Sequence, residues 1–189
     1  MTDRIEYNIP EAQRGFTLIK IEDDVLKQEE FDKIQKIMTE PSSFPWFYNY
    51  KIDSKDDVDK FQFIHIFYNT HMPPIYTPFI NELSPLLEVI KAISILRIKA
   101  NLLTRTPNII ENTLHTDLKG ISEEKLKQLT TSIFYINTNN GYTKFEDGAI
   151  VESVANRMVT FPTNLKHTGT SCTDERTRIV INFNYFKNT

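Results

Sequence analysis

Glycine and cysteine are scarce in this chain of 189 residues, and each scarcity excludes a class of protein. The five glycines form neither G-x-G-x-x-G nor G-x-x-x-x-G-K-S/T, so the sequence carries no phosphate-binding loop of the Rossmann or P-loop kind. Cys172 is the only cysteine, which excludes an intrachain disulfide and gives no sign of an oxidising compartment. We interpret Cys172 as a bystander to function.

Long apolar runs and long basic runs are missing as well. The longest apolar stretches fall short of a membrane span, and the N-terminal segment MTDRIEYNIPEAQR has early acids and no apolar run, unlike a signal peptide. A formal net charge of −3 argues against nucleic acid as a partner. We therefore expect a cytoplasmic protein that does not bind a membrane.

Aromatic residues, in contrast, are plentiful, and the 13 Phe and 8 Tyr favour pleated, half-buried strands. Alternation of apolar residues predicts four strands in the first 103 residues, at 16–21, 44–50, 60–69 and 94–103. Helical spacing predicts one helix over 28–40 and another that begins at Ser84, with Ser84 as N-cap and Pro85 in the first turn.

The second half of the chain predicts short strands joined by tight turns, with Asn-Gly at 140–141 and Asp-Gly at 147–148. A short helix over 122–129, capped by Ser122, interrupts these strands. Helices in the first half and strands in the second indicate an α+β, mainly β fold, as a sandwich or barrel with helices on one side. No repeat or Gly/Ser-rich linker occurs, so we predict a single domain over residues 1–189.

The segment ENTLHTDLKG (111–120) places His115 and Asp117 one residue apart. In an extended segment, residues i and i+2 point to the same side, so both side chains can face one ligand. Two histidines and one carboxylate leave three coordination positions open, a set that suits Fe(II) binding a cosubstrate and O2 together. The pair needs one distant histidine, and His167, which lies between two predicted strands, is the candidate.

The other two histidines and three aromatic residues have structural interpretations. His65 alternates with apolar neighbours in a predicted strand, and His71 lies in a turn before two prolines. Trp46, Tyr48 and Tyr50 share one face of a predicted strand, and we place them at the edge of the core rather than in a substrate groove.

The order of these elements resembles a known family. His-x-Asp, IFYIN (133–137), a turn, a strand ending in Phe-Pro, a distal His and RIVINF (178–183) occur as in the Fe(II)- and 2-oxoglutarate-dependent oxygenases. The likeness is greatest to the prolyl hydroxylases, including small members encoded by phages, and it covers residues 94–186. It implies a double-stranded β-helix (jelly-roll) catalytic core over 94–189 and a helix-bearing support region over 1–93.

The resemblance also implies roles for individual residues. His115, Asp117 and His167 are implied as the ligands of Fe(II). Arg178 is implied to salt-bridge the distal carboxylate of 2-oxoglutarate, a bidentate pair that the guanidinium geometry suits. Tyr135 is implied to hydrogen-bond the same carboxylate through its phenol.

Alternatives remain for the residues that bind the cosubstrate. Arg176 shares a face with Arg178, but it lies in the charged turn before the apolar alternation begins, so we prefer Arg178. Lys99 and Asn101, which share one face of the strand at 94–103, are candidates for the proximal end of 2-oxoglutarate.

The implied activity is that of a dioxygenase that uses Fe(II), 2-oxoglutarate and O2, hydroxylates its substrate, and releases succinate and CO2. Asp117 favours hydroxylation, because the related halogenases lack this carboxylate and leave room for halide. The implied substrate is a peptidyl proline, another protein side chain or a small metabolite. The competing class is a cupin-type or non-enzymatic metal-binding β-barrel, including a degenerate relative that serves as a binding module.

Overall fold

The computed structural model describes residues 19–40, 44–52, 60–70 and 75–187. The strands within these residues are β1 (Lys20–Glu22), β2 (Phe47–Asn49), β3 (Gln62–Asn69), β4 (Ile75–Tyr76), β5 (Ala92–Thr104), β6 (Thr130–Tyr135), β7 (Tyr142–Phe145), β8 (Ile150–Glu152), β9 (Met158–Pro162), β10 (His167–Gly169) and β11 (Thr177–Lys187). The helices are α1 (Gln28–Thr39), a 3-10 helix (Pro78–Leu83), α2 (Ser84–Ile90) and α3 (Glu123–Lys127).

Two antiparallel sheets face each other. The large sheet has the strand order β1-β9-β6-β11-β5-β3-β2, with β4 paired to β3, and the small sheet has the order β10-β7-β8. Phe145 and Val151 of the small sheet pack against Ile133, Val159 and Val180 of the large one. This is the architecture of a double-stranded β-helix, so the predicted fold class is confirmed.

The helices cover the opposite face of the large sheet. Helix α1 begins and ends within one residue of the prediction, and it buries Phe31, Ile34 and Met38, which recur at helical spacing. These side chains join Leu86 and Ile90 of α2 in one core cluster with the outward-facing apolar residues of β5, β6 and β11. Full burial of each such side chain contributes roughly 1.5–3 kcal/mol to stability, so the cluster holds the helices against this face of the large sheet.

Three local predictions need correction. Ser84 opens α2, but the capping residue is Leu83, because the 3-10 helix runs directly into α2 and the amide of Ser84 already bonds to Asn81. The strand predicted at 44–50 is confined to Phe47–Asn49. The strand predicted at 16–21 begins at Lys20 and runs to Glu22, and residues 16–18 lie outside the described part of the chain.

Strand β5 determines what faces the space between the sheets. Ile98 and Ala100 point into the helix-covered core with no exposed surface, as the alternation predicted. Arg97, Lys99 and Asn101 therefore lie on the inner face. The strand pairs with β3 on one side and with β11 on the other, so polar residues from three adjacent strands meet on that face.

Candidate metal centre

His115 and His167 lie opposite each other in an isolated antiparallel bridge. The amide of each residue donates to the carbonyl of the other at 3.0 Å, and the two ring centroids lie 5.3 Å apart. Asp117 is two residues further along the same extended segment, so its side chain points to the same side as His115. One ligand atom from each of the three side chains lies within 4.8 Å of the other two.

The two imidazole rings are held by the main chain through Nδ1. His115 Nδ1 lies 2.9 Å from the Thr113 carbonyl, and His167 Nδ1 lies 3.3 Å from the Leu165 carbonyl. A ring that donates its Nδ1–H to a carbonyl presents Nε2 as the acceptor, which is the usual way a metal-binding histidine is oriented. Burial lowers the pKa of the His167 imidazole, which favours the neutral form that a metal requires.

The carboxylate of Asp117 lies among donors, although its side chain is only 4% exposed. Asn182 Nδ2 donates to both of its oxygens at 3.2 and 3.3 Å, and Asn184 Nδ2 donates to Oδ2 at 3.0 Å. Arg97 lies 3.3 Å from Oδ1 and also donates to Asn184 at 3.1 Å. Burial raises the pKa of Asp117, but the Arg97 charge, the nearby His167 imidazole and the hydrogen bond from Asn184 outweigh it and hold the pKa well below the usual range.

The donor set therefore fits a divalent transition metal. Two imidazoles and one carboxylate on one side of the ion are the ligands that non-haem Fe(II) takes in oxygenases, with the remaining positions open. The structure brings together the three residues that the sequence singled out, and their role as ligands stays a prediction.

A buried cation lies further along β11. Arg178 is 3% exposed, and its guanidinium donates to Ser153 Oγ at 2.7 Å and to Thr143 Oγ1 at 3.0 Å. Its carbon Cζ lies 5.7 Å from the centre of the Tyr135 ring. Among the described residues Arg178 has no acidic partner, and a buried charge without a counterion is costly. The guanidinium is therefore suited to an anionic ligand, whereas Arg176, the alternative, is exposed.

Tyr135 contacts this cation but does not line the space between the sheets. Its ring is fully buried, and its hydroxyl donates to Thr143 Oγ1 at 2.8 Å. Thr143, which also receives the hydrogen bond from Arg178, lines the open space between the sheets, whereas Tyr135 is not among the residues that line it. The predicted contact of Tyr135 with a cosubstrate carboxylate stays a prediction.

The open space is a cavity of about 410 Å³, a volume typical of small-molecule sites. The three candidate ligands and Arg178 line it, and Ile133 and Val180 form an apolar part of its wall. Lys99 and Asn101, the candidates for the proximal end of the cosubstrate, line it as well.

Comparisons with known proteins show which solved structures share this fold. No protein-family model matches the chain, and no curated protein matches its sequence. Among solved structures, an oxidoreductase of the 2OG-Fe(II) oxygenase family from Burkholderia pseudomallei superposes with a TM-score of 0.62 at 9% identity, over 91% of this chain and 86% of that one. A prolyl hydroxylase from Trichoplax adhaerens, in complex with a hypoxia inducible factor peptide fragment, gives 0.60 at 12% identity, over 89% and 83%.

A third structure is SnoN, an alpha ketoglutarate dependent epimerase from nogalamycin biosynthesis, with a TM-score of 0.61 at 9% identity, over 90% of this chain and 79% of that one. This chain has the fold of the 2-oxoglutarate- and Fe(II)-dependent oxygenases. The resemblance found in the sequence is therefore confirmed for the fold, and the likeness to prolyl hydroxylases is borne out at that level. The expected phage origin stays a prediction.

Within this oxygenase fold, the residues set aside as structural have mixed outcomes. His65 is 1% exposed and bonds to the Pro45 carbonyl and to Thr77 Oγ1, as expected of a structural histidine. Trp46 packs against the core, but Tyr48 and Tyr50 are 64% and 68% exposed, so their placement at the core edge was wrong. The short β2 lies at the end of the strand order of the large sheet.

Cys172 and His71 are the other two residues that the sequence analysis did not assign to the site. Cys172 is buried, its thiol donates to the Glu175 carbonyl, and it is not one of the residues that line the cavity. His71 lies outside the described residues. Within the described ranges, no helix is long and apolar enough to cross a membrane.

The sequence did not point to the residues that surround the charged groups of this site. Asn182 and Asn184 hold Asp117, and Ser153 and Thr143 hold Arg178. A signal for the first pair was present, because both asparagines alternate with apolar residues on the same face of β11 as Arg178. Ser153 and Thr143 lie on separate segments, and their common partner is set only by the packing of the sheets.

Proposed function

We propose that this protein is an Fe(II)- and 2-oxoglutarate-dependent dioxygenase that hydroxylates a C–H bond of its substrate. One observation carries the proposal: His115, Asp117 and His167 converge in the cavity that also exposes a buried guanidinium, Arg178, with no acidic partner among the described residues. A metal-binding barrel without a cosubstrate has no use for that buried cation. A dicarboxylate that reaches both the metal and Arg178 does.

The reaction consumes one substrate, one 2-oxoglutarate and one O2, and it yields an alcohol, succinate and CO2. One oxygen atom of O2 enters the substrate C–H bond, and the other enters the new carboxylate of succinate. Fe(II), when bound, supplies the activation of O2 that protein side chains cannot provide. His115, Asp117 and His167 would hold the ion on one side and leave the remaining positions for cosubstrate and O2.

The other residues of the cavity bind, orient and exclude water. Arg178 is positioned by Ser153 and Thr143, so it offers a fixed pair of donors to the distal carboxylate of 2-oxoglutarate. Val180 lies between Arg178 and Asn182 along β11, and together with Ile133 it keeps part of the cavity wall apolar. Asn182 and Asn184 hold the Asp117 carboxylate in place, and the Arg97 charge lowers its pKa.

We propose hydroxylation as the reaction because the third proposed metal ligand is the carboxylate of Asp117. SnoN, with the same fold, is an epimerase, so the fold alone does not select the reaction. For the substrate, the proposal covers a peptidyl proline, another protein side chain or a small metabolite.

The test is an anaerobic titration of metal-free protein with Fe(II) and then with 2-oxoglutarate, followed by the weak visible charge-transfer band of the chelate. Wild type is compared with His115→Ala and with Leu114→Ala, a neighbouring side chain that is 42% exposed. We expect a saturable band in wild type and in Leu114→Ala, and none in His115→Ala. Admission of O2 should then release succinate from the two proteins that form the band.

Two results would contradict the proposal. A folded wild-type protein that binds Fe(II) but gives no band with 2-oxoglutarate would support a cupin-like or degenerate binding protein. An Asp117→Ala variant that releases succinate at the wild-type rate would remove the carboxylate from the proposed ligand set.

A further inference from the structure

Two glycines lie close to the Arg178 side chain, and neither is required by its backbone conformation. Gly120 and Gly148 are the described glycines with a positive φ, whereas Gly141 and Gly169 have φ values that other residues adopt. The space around each of these two positions therefore shows why a side chain is missing there.

Gly141 is enclosed by the protein. A Cβ at this position would lie 2.7 Å from the backbone oxygen of Ser171, 2.7 Å from Arg178 Cδ and 2.8 Å from Asn139 Oδ1. Gly141 is buried and is not one of the residues that line the cavity. A side chain here would force the backbone to move, so this glycine serves packing.

Gly169, in contrast, lines the cavity. A Cβ at this position would lie 3.0 Å from Arg178 Nη1 and 3.9 Å from its Cζ, and it would meet no other heavy atom of the described residues within 4 Å, its sequence neighbours apart. Gly169 comes two residues after His167 on β10, so a side chain would point to the same face as the His167 imidazole. The missing side chain therefore keeps the space beside the guanidinium open.

This open position is close to the proposed anchor and lies on the same strand as a candidate metal ligand. Gly169 is paired with Thr143 in the register of β10 and β7, and the two residues from His167 to Gly169 span roughly 7 Å along the strand. We propose that Gly169 is a specificity-determining residue for the cosubstrate, because the distal carboxylate of 2-oxoglutarate binds Arg178 over the bare backbone of Gly169. This inference rests on the proposed function and names the residue that admits a diacid to the site.

The guanidinium offers its two terminal nitrogens at this position. Nη1 lies toward Gly169, and Nη2 donates to Thr143 Oγ1 at 3.0 Å, while Nε donates to Ser153 Oγ at 2.7 Å. Each terminal nitrogen carries two hydrogens, so the bond to Thr143 leaves Nη2 with one hydrogen to donate. A carboxylate that accepts from Nη1 and Nη2 together forms the bidentate pair that a guanidinium and a carboxylate favour.

Hydrogen bonds hold the backbone of Gly169 in place. Its carbonyl accepts from the Asn112 amide at 3.3 Å and from Asn112 Nδ2 at 2.9 Å. Against this fixed backbone, the nearest atom to an added Cβ is Arg178 Nη1, which is the end of a long side chain. A Cβ would therefore crowd Nη1 and narrow the space for the carboxylate, with little strain elsewhere in the fold.

The experiment compares wild type with Gly169→Ala and with Gly141→Ala, the same substitution at the other glycine near Arg178. The Kd for 2-oxoglutarate is measured anaerobically from the charge-transfer band of the Fe(II)-loaded protein. Fe(II) affinity and the melting temperature without ligands are measured on the same proteins.

Gly169→Ala should raise the Kd for 2-oxoglutarate about tenfold, equivalent to about 1.4 kcal/mol, because the carboxylate loses its contact with Nη1. Fe(II) affinity and the melting temperature should stay at their wild-type values. Gly141→Ala should lower the melting temperature, because its Cβ overlaps the backbone oxygen of Ser171. With O2 admitted, the KM of Gly169→Ala for 2-oxoglutarate should rise, while the rate of succinate release at saturating 2-oxoglutarate holds.

An unchanged Kd for 2-oxoglutarate in Gly169→Ala would overturn the proposal. So would a melting temperature that falls as far as in Gly141→Ala, or an Fe(II) affinity that weakens in parallel with 2-oxoglutarate binding, because either result would mean that the missing side chain serves packing. Absence of the charge-transfer band in wild type would instead overturn the proposed function itself, which distinguishes the two failures.

Discussion

His115 and His167 are joined by two reciprocal backbone hydrogen bonds, each 3.0 Å long. The main chain therefore sets the separation of the two imidazoles, and a metal ion does not have to draw two distant segments together. With Nδ1 of each ring on a backbone carbonyl, ring orientation is fixed as well. A site arranged in this way loses little conformational entropy on binding a metal, since its ligands are already in place.

The first prediction concerns the residue that positions Asp117. Asn184→Ala removes the 3.0 Å hydrogen bond to Asp117 Oδ2 and also the partner of Arg97 Nε. We expect Fe(II) affinity to fall about 10- to 100-fold, the usual effect of removing a group that orients a metal ligand. Anaerobic titration with Fe(II) measures it, with exposed Asn108→Ala as the control. Unchanged affinity in a folded Asn184→Ala protein would show that Asp117 needs no such support.

A second prediction separates cosubstrate binding from stability. Arg178→Met replaces a buried cation that has no acidic partner among the described residues with an apolar side chain of similar length. Replacing buried charge by packed apolar groups is often neutral or stabilising, so we expect the melting temperature without ligands to hold or rise. The 2-oxoglutarate chelate band should be lost while Fe(II) still binds.

The matched control for that substitution is Arg176→Met, since Arg176 is exposed two residues earlier on the chain. It should bind 2-oxoglutarate as wild type does. If Arg176→Met lost the band and Arg178→Met retained it, the anchor would be the alternative arginine.

Much of this site could be predicted from the sequence, because the patterns that indicate it lie within single short segments. His-x-Asp on an extended segment fixes two ligands on one side, and the alternation in β5 and β11 assigns Lys99, Asn101 and Arg178 to the inner face. The N-terminal helix followed from the spacing of its apolar residues for the same reason.

What the sequence could not supply depends on contacts between distant segments. Thr143 bonds to both Tyr135 and Arg178 only because β7 of the small sheet packs over β6 and β11 of the large one. Likewise, the exposure of Tyr48 and Tyr50 follows from the position of β2 at the end of the sheet order, which periodicity does not reveal.

A third prediction concerns acid stability away from the site. Asp23 accepts hydrogen bonds from the Arg157 guanidinium, one of them 2.9 Å long, and this contact lowers the pKa of Asp23 below its ordinary value of 3.8. A carboxyl whose pKa is lower in the folded state stabilises the fold above its unfolded pKa, and the contribution disappears as the pH falls through the folded pKa. Asp23 is 45% exposed, so we expect at most about 1 kcal/mol.

The measurement compares urea unfolding of wild type and Asp23→Asn at neutral pH and at several values below pH 4. The wild type should be more stable at neutral pH, and the difference should shrink toward zero in acid. A difference that stayed constant across this range would assign the effect to packing rather than to the charge of Asp23.

The last prediction distinguishes Thr143 from Tyr135 at the proposed cosubstrate anchor. Thr143 Oγ1 accepts a hydrogen bond from the Tyr135 hydroxyl and another from Arg178 Nη2. A hydroxyl oxygen has two acceptor sites, so both are used, and the hydroxyl hydrogen is left to donate. Because Thr143 lines the cavity beside Arg178, that hydrogen is available to a carboxylate held by the guanidinium. Tyr135 would act through Thr143: its hydrogen bond to Thr143 Oγ1 fixes the direction in which the Thr143 hydroxyl donates.

Thr143→Val keeps the shape of the side chain and removes both the donor and the acceptor. It should weaken 2-oxoglutarate binding about tenfold or more, because a hydrogen bond to a charged group contributes roughly 1.5–3 kcal/mol. Tyr135→Phe leaves Thr143 in place and should weaken it only a few-fold. Fe(II) affinity, measured in the same titrations, should be unchanged in both variants, because neither residue contacts His115, Asp117 or His167. A larger effect from Tyr135→Phe than from Thr143→Val would mean that the phenol itself reaches the carboxylate, as the family resemblance implied, and that Thr143 moves aside when 2-oxoglutarate binds.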